Sequence, residues 1–279
     1  MSINHIITVV VALAVAAGCE KKTATVPLPS PSPVRFGTDK MPLNTPAYTP
    51  APEDTSPEGF SWVHRDFALI FSGAVYEHNF KGHVKGGRMI ERKAKLEAYA
   101  GTLRKITRAG FQKWKLQHRT AFLINAYTAH LLLASIDKKF NGLDDSLLKR
   151  PGTVLMFGRK YSLEGFIRDE IAGAGKEDPR VFLALHCFSD GCPEYRNSIF
   201  NFKNLDGMLN SGVYRFFSDN DKNYYDVKTG RFRVSPYIKK YRRFFPAGDA
   251  ALKEWIGPYL QHRKDIGGAL AGGKLKWVF

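Results

Sequence analysis

The chain has 279 residues, 44% of them hydrophobic, 13% aromatic and 24% charged, with a formal net charge of +16 at pH 7. Those proportions read as a globular protein and exclude a chain too polar to build a core. The charge surplus suits anionic lipid headgroups, acidic glycans or nucleic acid, and only three cysteines are present to carry thiol chemistry or a staple.

Between Ile6 and Ala17 almost every residue is apolar, and the run closes on Ala17-Gly18-Cys19. It is short for a transmembrane helix and matches the apolar region and small-residue cleavage zone of an export signal, although Met1 to His5 holds no Lys or Arg. Small residues immediately before Cys19 resemble the bacterial lipobox, which implies residues 1–18 as a lipoprotein signal peptide and Cys19 as the lipidated N-terminus. Ordinary secretion and a buried or transmembrane helix stay open beside it. Each buried lipid methylene contributes roughly 0.8 kcal/mol, so two or more long acyl chains make a lasting anchor. Lipidation would place the protein in a bacterial cell envelope, palmitate-type chains in the membrane and the domain facing the periplasm. Glu20 lacks the aspartate associated with inner-membrane retention in enteric bacteria, so the outer membrane is slightly favoured.

Residues 19–60 read as the lipidated cysteine and a tether. Nine of the fifteen prolines fall there, including Pro27, Pro29, Pro31 and Pro33. Proline at that density denies helix and sheet their donors and favours extended chain, at most about 120 Å long at roughly 3.1 Å per residue. Residues 61–279 then form one domain, with no second linker and no internal repeat.

Within that domain, Leu96, Tyr99, Leu103 and Ile106 have helical spacing. Arg119 to Ile136 is the longest apolar run, rich in Ala and Leu, and should be a central buried helix. Val154 to Phe157 reads as a short strand before a turn, and Ser162 as the cap of a helix over Leu163 to Ala172. Arg180 to Leu185 suits a buried strand that delivers His186 and Cys187 at its end. Leu205 to Phe217 is an amphipathic helix, Tyr224–Val227 and Phe232–Val234 a β-hairpin, Tyr237–Phe245 and Ala251–Leu260 late helices, and Lys274–Phe279 a closing strand. Gly86-Gly87 and Gly267-Gly268 read as ordinary turns. The sum is an α+β single domain, several helices packed around a small mixed or antiparallel sheet.

Two readings of Cys187 and Cys192 are open. As an even pair in an oxidising compartment they can form a disulfide around Ser189-Asp190-Gly191, worth about 2 kcal/mol. As a nucleophile, Cys192 needs a base and a group to orient it. His186 is adjacent in sequence, but neighbouring side chains on an extended strand face opposite ways. His130, on the apolar helix with Asn125 and Tyr127, is an alternative base and more simply a core residue. The histidines and cysteines do not have metal-ligand spacing, and no phosphate loop or serine elbow occurs, so neither metal nor cofactor is expected. The densest basic stretch, Arg231 to Arg243, interleaves aromatics with cations and can be a solvated face, a contact for anionic lipid or glycan, or a nucleic-acid contact. Export makes nucleic acid the least expected of these, and no protein partner is indicated.

The globular part resembles the domain-of-unknown-function family 547, known from bacterial exported proteins and from plants. The resemblance is carried by Leu96-Glu-Ala-Tyr-Ala-Gly-Thr-Leu103, by Phe122-Leu-Ile-Asn-Ala-Tyr-Thr-Ala129, by Phe157-Gly-Arg-Lys-Tyr-Ser-Leu163, and by Asp178-Pro-Arg-Val-Phe-Leu-Ala-Leu-His-Cys-Phe-Ser-Asp-Gly-Cys-Pro193. The family's usual Trp stands here as Leu123, its second Asn as Thr128, a usual glutamate as Ile167, a usual histidine as Phe182 and a usual serine as Gly191. The family supplies no established common activity. Its polar cluster is similar in kind to cysteine-hydrolase or transglutaminase-like sites, which implies acyl transfer through Cys192 with His186 as base, Asn125 as polarising group, and Tyr127 and Glu164 as further site candidates. Ile167 and Phe182 remove groups such a mechanism wants. The competing expectation is therefore a binding or structural lipoprotein on a degenerate site, with a structural Cys187–Cys192 disulfide.

Overall fold

A helix that is apolar on every side has to be wrapped by other elements, and the run around Phe122 sets the architecture accordingly. The computed structural model describes residues 57–78 and 81–279. The proposed signal, Cys19 and nearly all of the proline-rich stretch lie outside the described residues. In chain order the elements are α1 (Pro57–Phe71), β1 (Val75–His78), β2 (Lys81–Val84), α2 (Gly86–Glu91), α3 (Lys93–Leu103), α4 (Arg108–Gln112), α5 (Leu116–Asp137), α6 (Ser146–Lys149), β3 (Val154–Met156), β4 (Arg159–Tyr161) and α7 (Leu163–Phe166). After these come a π-helical turn (Ile167–Ile171), α8 (Ala172–Glu177), a 3-10 helix (Pro179–Ala184), α9 (Leu205–Ser218), β5 (Tyr224–Asp226), β6 (Arg231–Arg233), α10 (Pro236–Lys240), a second 3-10 turn (Arg242–Phe244), α11 (Asp249–Leu260), α12 (Gly267–Ala271) and β7 (Lys276–Val278). All of these elements lie in one compact unit. No helix among the described residues is long and apolar enough to cross a membrane.

The buried α5 satisfies its serine and threonine hydroxyls within itself. Thr120, Thr128 and Ser135 donate to the carbonyls of Leu116, Ile124 and Leu131 at 2.8–2.9 Å, so hydroxyls enter the core without orphaned donors. On one side α1 and α3 close over it, with Phe67 stacked on Tyr99 at 4.5 Å and the Tyr99 hydroxyl 2.7 Å from His64 Nδ1. Phe111 and Trp114, from the α4 end, pack on Phe122.

The strands form three small ladders, β1–β2, β3–β4 and β5–β6–β7, antiparallel except for the parallel β6–β7 pairing. The α+β class and the small sheets agree with the sequence reading. Ser162 does cap the helix that follows, accepting from Gly165 N at 3.0 Å. That helix runs on to Glu177 through the π turn, where the buried Glu170 takes both nitrogens of Arg108 at 2.5–2.6 Å and the Tyr161 hydroxyl at 2.6 Å. One carboxylate so ties α4, the β3–β4 hairpin and the widened turn together.

Two expectations need correction. Arg180 to Leu185 is not a strand. Asp178 accepts the Arg180 amide at 3.0 Å, Pro179 occupies the first helical position, and Val181 and Leu185 bond back to Asp178 O and Phe182 O. A short apolar run is ambiguous between buried strand and buried helix, and here the proline and its aspartate cap decide it. Phe182, fully buried, stacks on Phe244 at 4.1 Å with Tyr241 and Phe245 beside it. Gly86 and Gly267 open the helices α2 and α12 instead of sitting in turns.

Two glycines of α8 test this packing. A Cβ at Gly175 would lie 2.1 Å from the Phe182 ring, whereas one at Gly173 meets nothing within 4 Å. Gly175→Ala should destabilise by about 1–3 kcal/mol through overpacking, while Gly173→Ala should stabilise by about 0.5–1 kcal/mol through helix propensity. Paired urea melts read both signs; equal effects would contradict the close aromatic contact.

Candidate functional site

Leu185 to Asn204 is a long irregular segment, and loops of that kind inside a compact domain are usually functional or need dedicated support. Its support comes from side chains. The Tyr237 hydroxyl lies 2.7 Å from Phe182 O and 3.1 Å from Leu185 O, and the Tyr127 hydroxyl donates to His186 O at 2.6 Å. Ser235 donates to Gly191 O at 2.8 Å. Asn125, 2% exposed on α5, brackets Phe200, its amide donating to the carbonyl at 2.7 Å and its oxygen accepting the N–H at 3.0 Å. A buried amide doing both replaces the strand partner this backbone does not have.

Within the segment Cys187 and Cys192 form a disulfide, with Cα atoms 5.5 Å apart. Both residues are 2% exposed. Ser189 Oγ lies 3.1 Å from the Cys192 sulfur, and the Cys192 amide closes the loop on Ser189 O at 3.0 Å. Asp145 brings a carboxylate oxygen to within 4.8 Å of both sulfurs. That grouping does not fit a metal, because bonded sulfurs offer no thiolate and Asp145 already accepts from Lys240 Nζ at 2.8 Å.

His186 follows the 3-10 helix and leaves it with its ring against Tyr195, centroids 3.8 Å apart. Nδ1 donates to Pro193 O at 2.6 Å, since a carbonyl can only accept, which makes Nε2 the acceptor. Burial holds the imidazole down at about 4, so it is neutral at pH 7. Beside it lies a cavity of about 20 Å³, lined among others by Asn125, Thr128, Glu194, Tyr195 and Arg196, room for about one water.

The sequence candidates therefore divide. Asn125 and His186 share one cavity wall, and Tyr127 reaches His186 through its backbone. His130 does not join them: it is 1% exposed, its Nδ1 donates to Ala126 O at 2.8 Å within α5, and desolvation lowers it to about 4. Glu164 stands in the first turn of α7, outside that cavity lining. The positions where the resemblance implies polar groups are filled by core: Ile167 and Phe182 are both buried, and a Cβ on Gly191 would come 3.0 Å from Ser235 Oγ. In the basic stretch Phe232, Tyr237 and Tyr241 point inward at 5% exposure or less, leaving no stacking platform of interleaved rings.

Sequence reasoning missed the clamp on the far side of the segment. Glu194 accepts the Gly82 amide at 3.1 Å and pairs with the buried Lys222, which also holds Asp219. Glu77 accepts the Asn197 amide at 3.1 Å and pairs with Arg196 and Arg215. Gly82 is required there, because a Cβ would fall 1.8 Å from Tyr195 O. Glycine inside a short strand is a local signal of close backbone approach, but nothing local names its partner.

This is a mixed α+β domain whose irregular segment is stapled by a disulfide and by side-chain clamps. Residues 111–217, which include α5, the disulfide and most of α9, match the profile of the family described as "Protein of unknown function, DUF547". No curated protein and no solved structure matches the chain.

Asn125→Ala should cost about 2–4 kcal/mol, because it leaves both a buried N–H and a buried C=O of Phe200 unpaired. Asn125→Asp should be little better, lacking the donor. Denaturant unfolding of both variants checks it. The lowered His130 and His186 set a pH window as well. Histidines neutral in the fold but protonated near 6.5 in the unfolded chain give full stability above about pH 6.5 and lose it as pH falls toward 4. Melting temperatures measured from pH 7.5 to 4.5 should fall, and His130→Leu should flatten that slope; a slope unchanged by the substitution would remove His130 from the account.

Proposed function

We propose that the chain is a cell-envelope lipoprotein, anchored through Cys19 and facing the periplasm, whose domain has a binding or structural role on a degenerate version of its family's site. The observation that supports this reading best is the buried Cys187–Cys192 disulfide. A nucleophilic mechanism needs a thiolate at Cys192, a base free to take its proton, and a polarising amide. Here both sulfurs are bonded to each other, His186 Nδ1 is committed to Pro193 O, and both ends of the Asn125 amide are committed to Phe200. The disulfide and the Asn125 amide are used as supports for the irregular segment.

The alternative is a cysteine-dependent hydrolase or acyltransferase of transglutaminase or peptidase type, active after reduction. It is favoured by the His186 Nε2 lone pair and Asn125 on one small cavity. In that reading Cys192 attacks an acyl carbonyl, a histidine takes the thiol proton and returns it to the leaving group, and water releases the acyl chain.

Alkylation of the non-reduced, denatured protein followed by peptide mass analysis separates the two. The disulfide reading expects no label on Cys187 or Cys192 and a melting temperature that drops on reduction, by the equivalent of about 2 kcal/mol. Two labelled thiols, together with acyl turnover abolished in Cys192→Ala, would establish the enzyme instead. Release of a diacylglyceryl-modified N-terminal peptide beginning at Cys19 is the parallel test of the anchor.

A further inference from the structure

We propose that the outer face of the β5–β6–β7 sheet, with the hairpin tip at Val227, is a docking surface for an anionic lipid bilayer. The inference rests on the sheet's own residues and goes beyond the anchor assigned to Cys19.

The strand register sorts this sheet into two faces. Tyr225, Phe232 and Trp277 form the inner row, with the Trp277 ring edge-on to Phe232 at 5.2 Å and the Arg263 guanidinium 5.4 Å from the Phe232 ring on the protein side. The outer face carries two rows: Tyr224, Arg233 and Val278 across the three strands, and Asp226, Arg231 and Lys276 beside them. Tyr224 is 56% exposed, Val278 39% and Val227, at the tip, 74%, the highest of any large hydrophobic among the described residues. Arg231, Arg233 and Lys276 are exposed and none comes within 4.0 Å of a described carboxylate, although Arg231 stands across from Asp226, whose pKa is lowered by the Thr229 hydroxyl and the turn amides and, to a smaller extent, by Arg231.

The hairpin tip is held firmly. Asp226 accepts the Lys228 amide at 2.9 Å and the Thr229 hydroxyl at 2.6 Å, Gly230 takes a positive φ of 68°, and its N–H closes on Asp226 O at 2.8 Å. The one acidic side chain of the face is thereby spent on its own turn, and the tip presents Val227 and Lys228 outward. Cations alone would fit any polyanion. The valines and tyrosine beside them add apolar area that an acyl boundary rewards, while arginine and lysine stems lie along it with their heads at phosphate level. A glycan or nucleic-acid strand would call for a series of exposed ring faces, and this face offers the single exposed ring of Tyr224, since the neighbouring Phe232, Tyr237 and Tyr241 are buried. The surplus of +16 draws such a face toward a negative surface.

The test uses the full chain carrying Val227→Cys, labelled there with an environment-sensitive fluorophore and read against the wild type treated identically. It is added to vesicles of phosphatidylcholine, alone or with phosphatidylglycerol. The expected result is a blue shift, and quenching by spin-labelled lipids, only when phosphatidylglycerol is present and weakening with salt. Arg231→Gln, Arg233→Gln and Lys276→Gln should each weaken the contact about fivefold, with an unchanged melting temperature because all three side chains are exposed. Emission indifferent to phosphatidylglycerol and to the three substitutions would overturn the proposal, and so would a response to a soluble sulfated glycan with none to the vesicles. Retention of the chain on vesicles regardless of lipid charge reports the Cys19 anchor separately.

Discussion

Every buried backbone N–H and C=O needs a partner, and between Leu185 and Asn204 this chain has neither helix nor sheet to supply one. Much of the polar chemistry of the domain is a response to that constraint. Asn125 acts as a surrogate strand for Phe200, Tyr127 and Tyr237 cap carbonyls at the end of the 3-10 helix, and Ser235 holds Gly191. From the opposite side, Glu77 and Glu194 each accept a backbone amide while pairing with a buried or half-buried cation. Breaking such pairs costs more than their net worth, because the remaining charge or donor stays in low dielectric.

A set of asparagine, tyrosine, histidine and cysteine around one segment resembles a catalytic constellation in composition. Geometry distinguishes the two uses. A catalyst must keep lone pairs and protons available to a substrate, whereas here both ends of the Asn125 amide and both sulfurs are bonded within the fold, and only Nε2 of His186 keeps a lone pair. The two positions where the resemblance implies polar groups follow the same direction: Phe182 belongs to an aromatic stack that Gly175 makes room for, and Ile167 opens the π turn as a buried apolar residue. Neither substitution leaves a polar gap that a ligand would fill.

The parts of this fold legible in the sequence were those governed by local pattern. The apolar run of α5, the amphipathic α9, the cap at Ser162 and the β5–β6 hairpin depend on periodicity and turn chemistry within a few residues. Arg180 to Leu185 was not legible as a 3-10 helix, because a short apolar run looks the same in either conformation until its cap is weighed. The β1–β2 hairpin and its clamp were invisible for a different reason. Gly82 and Glu194 are 112 positions apart, Glu77 and Arg215 are 138 apart, and no local rule couples such pairs. The basic run from Arg231 likewise read as one patch, yet the sheet turns its aromatics inward and brings Tyr224 and Lys276 from elsewhere to stand beside its arginines.

Native-state hydrogen exchange of the amides of Phe200 and Gly82 tests the central claim most directly, since each donates to a clamping side chain in place of a regular backbone ladder. If the side-chain clamps hold the irregular segment as part of the core, these amides exchange only through openings close to the global unfolding free energy, alongside those of α5. Exchange at the rate of an open surface loop, with α5 still protected, would contradict the account.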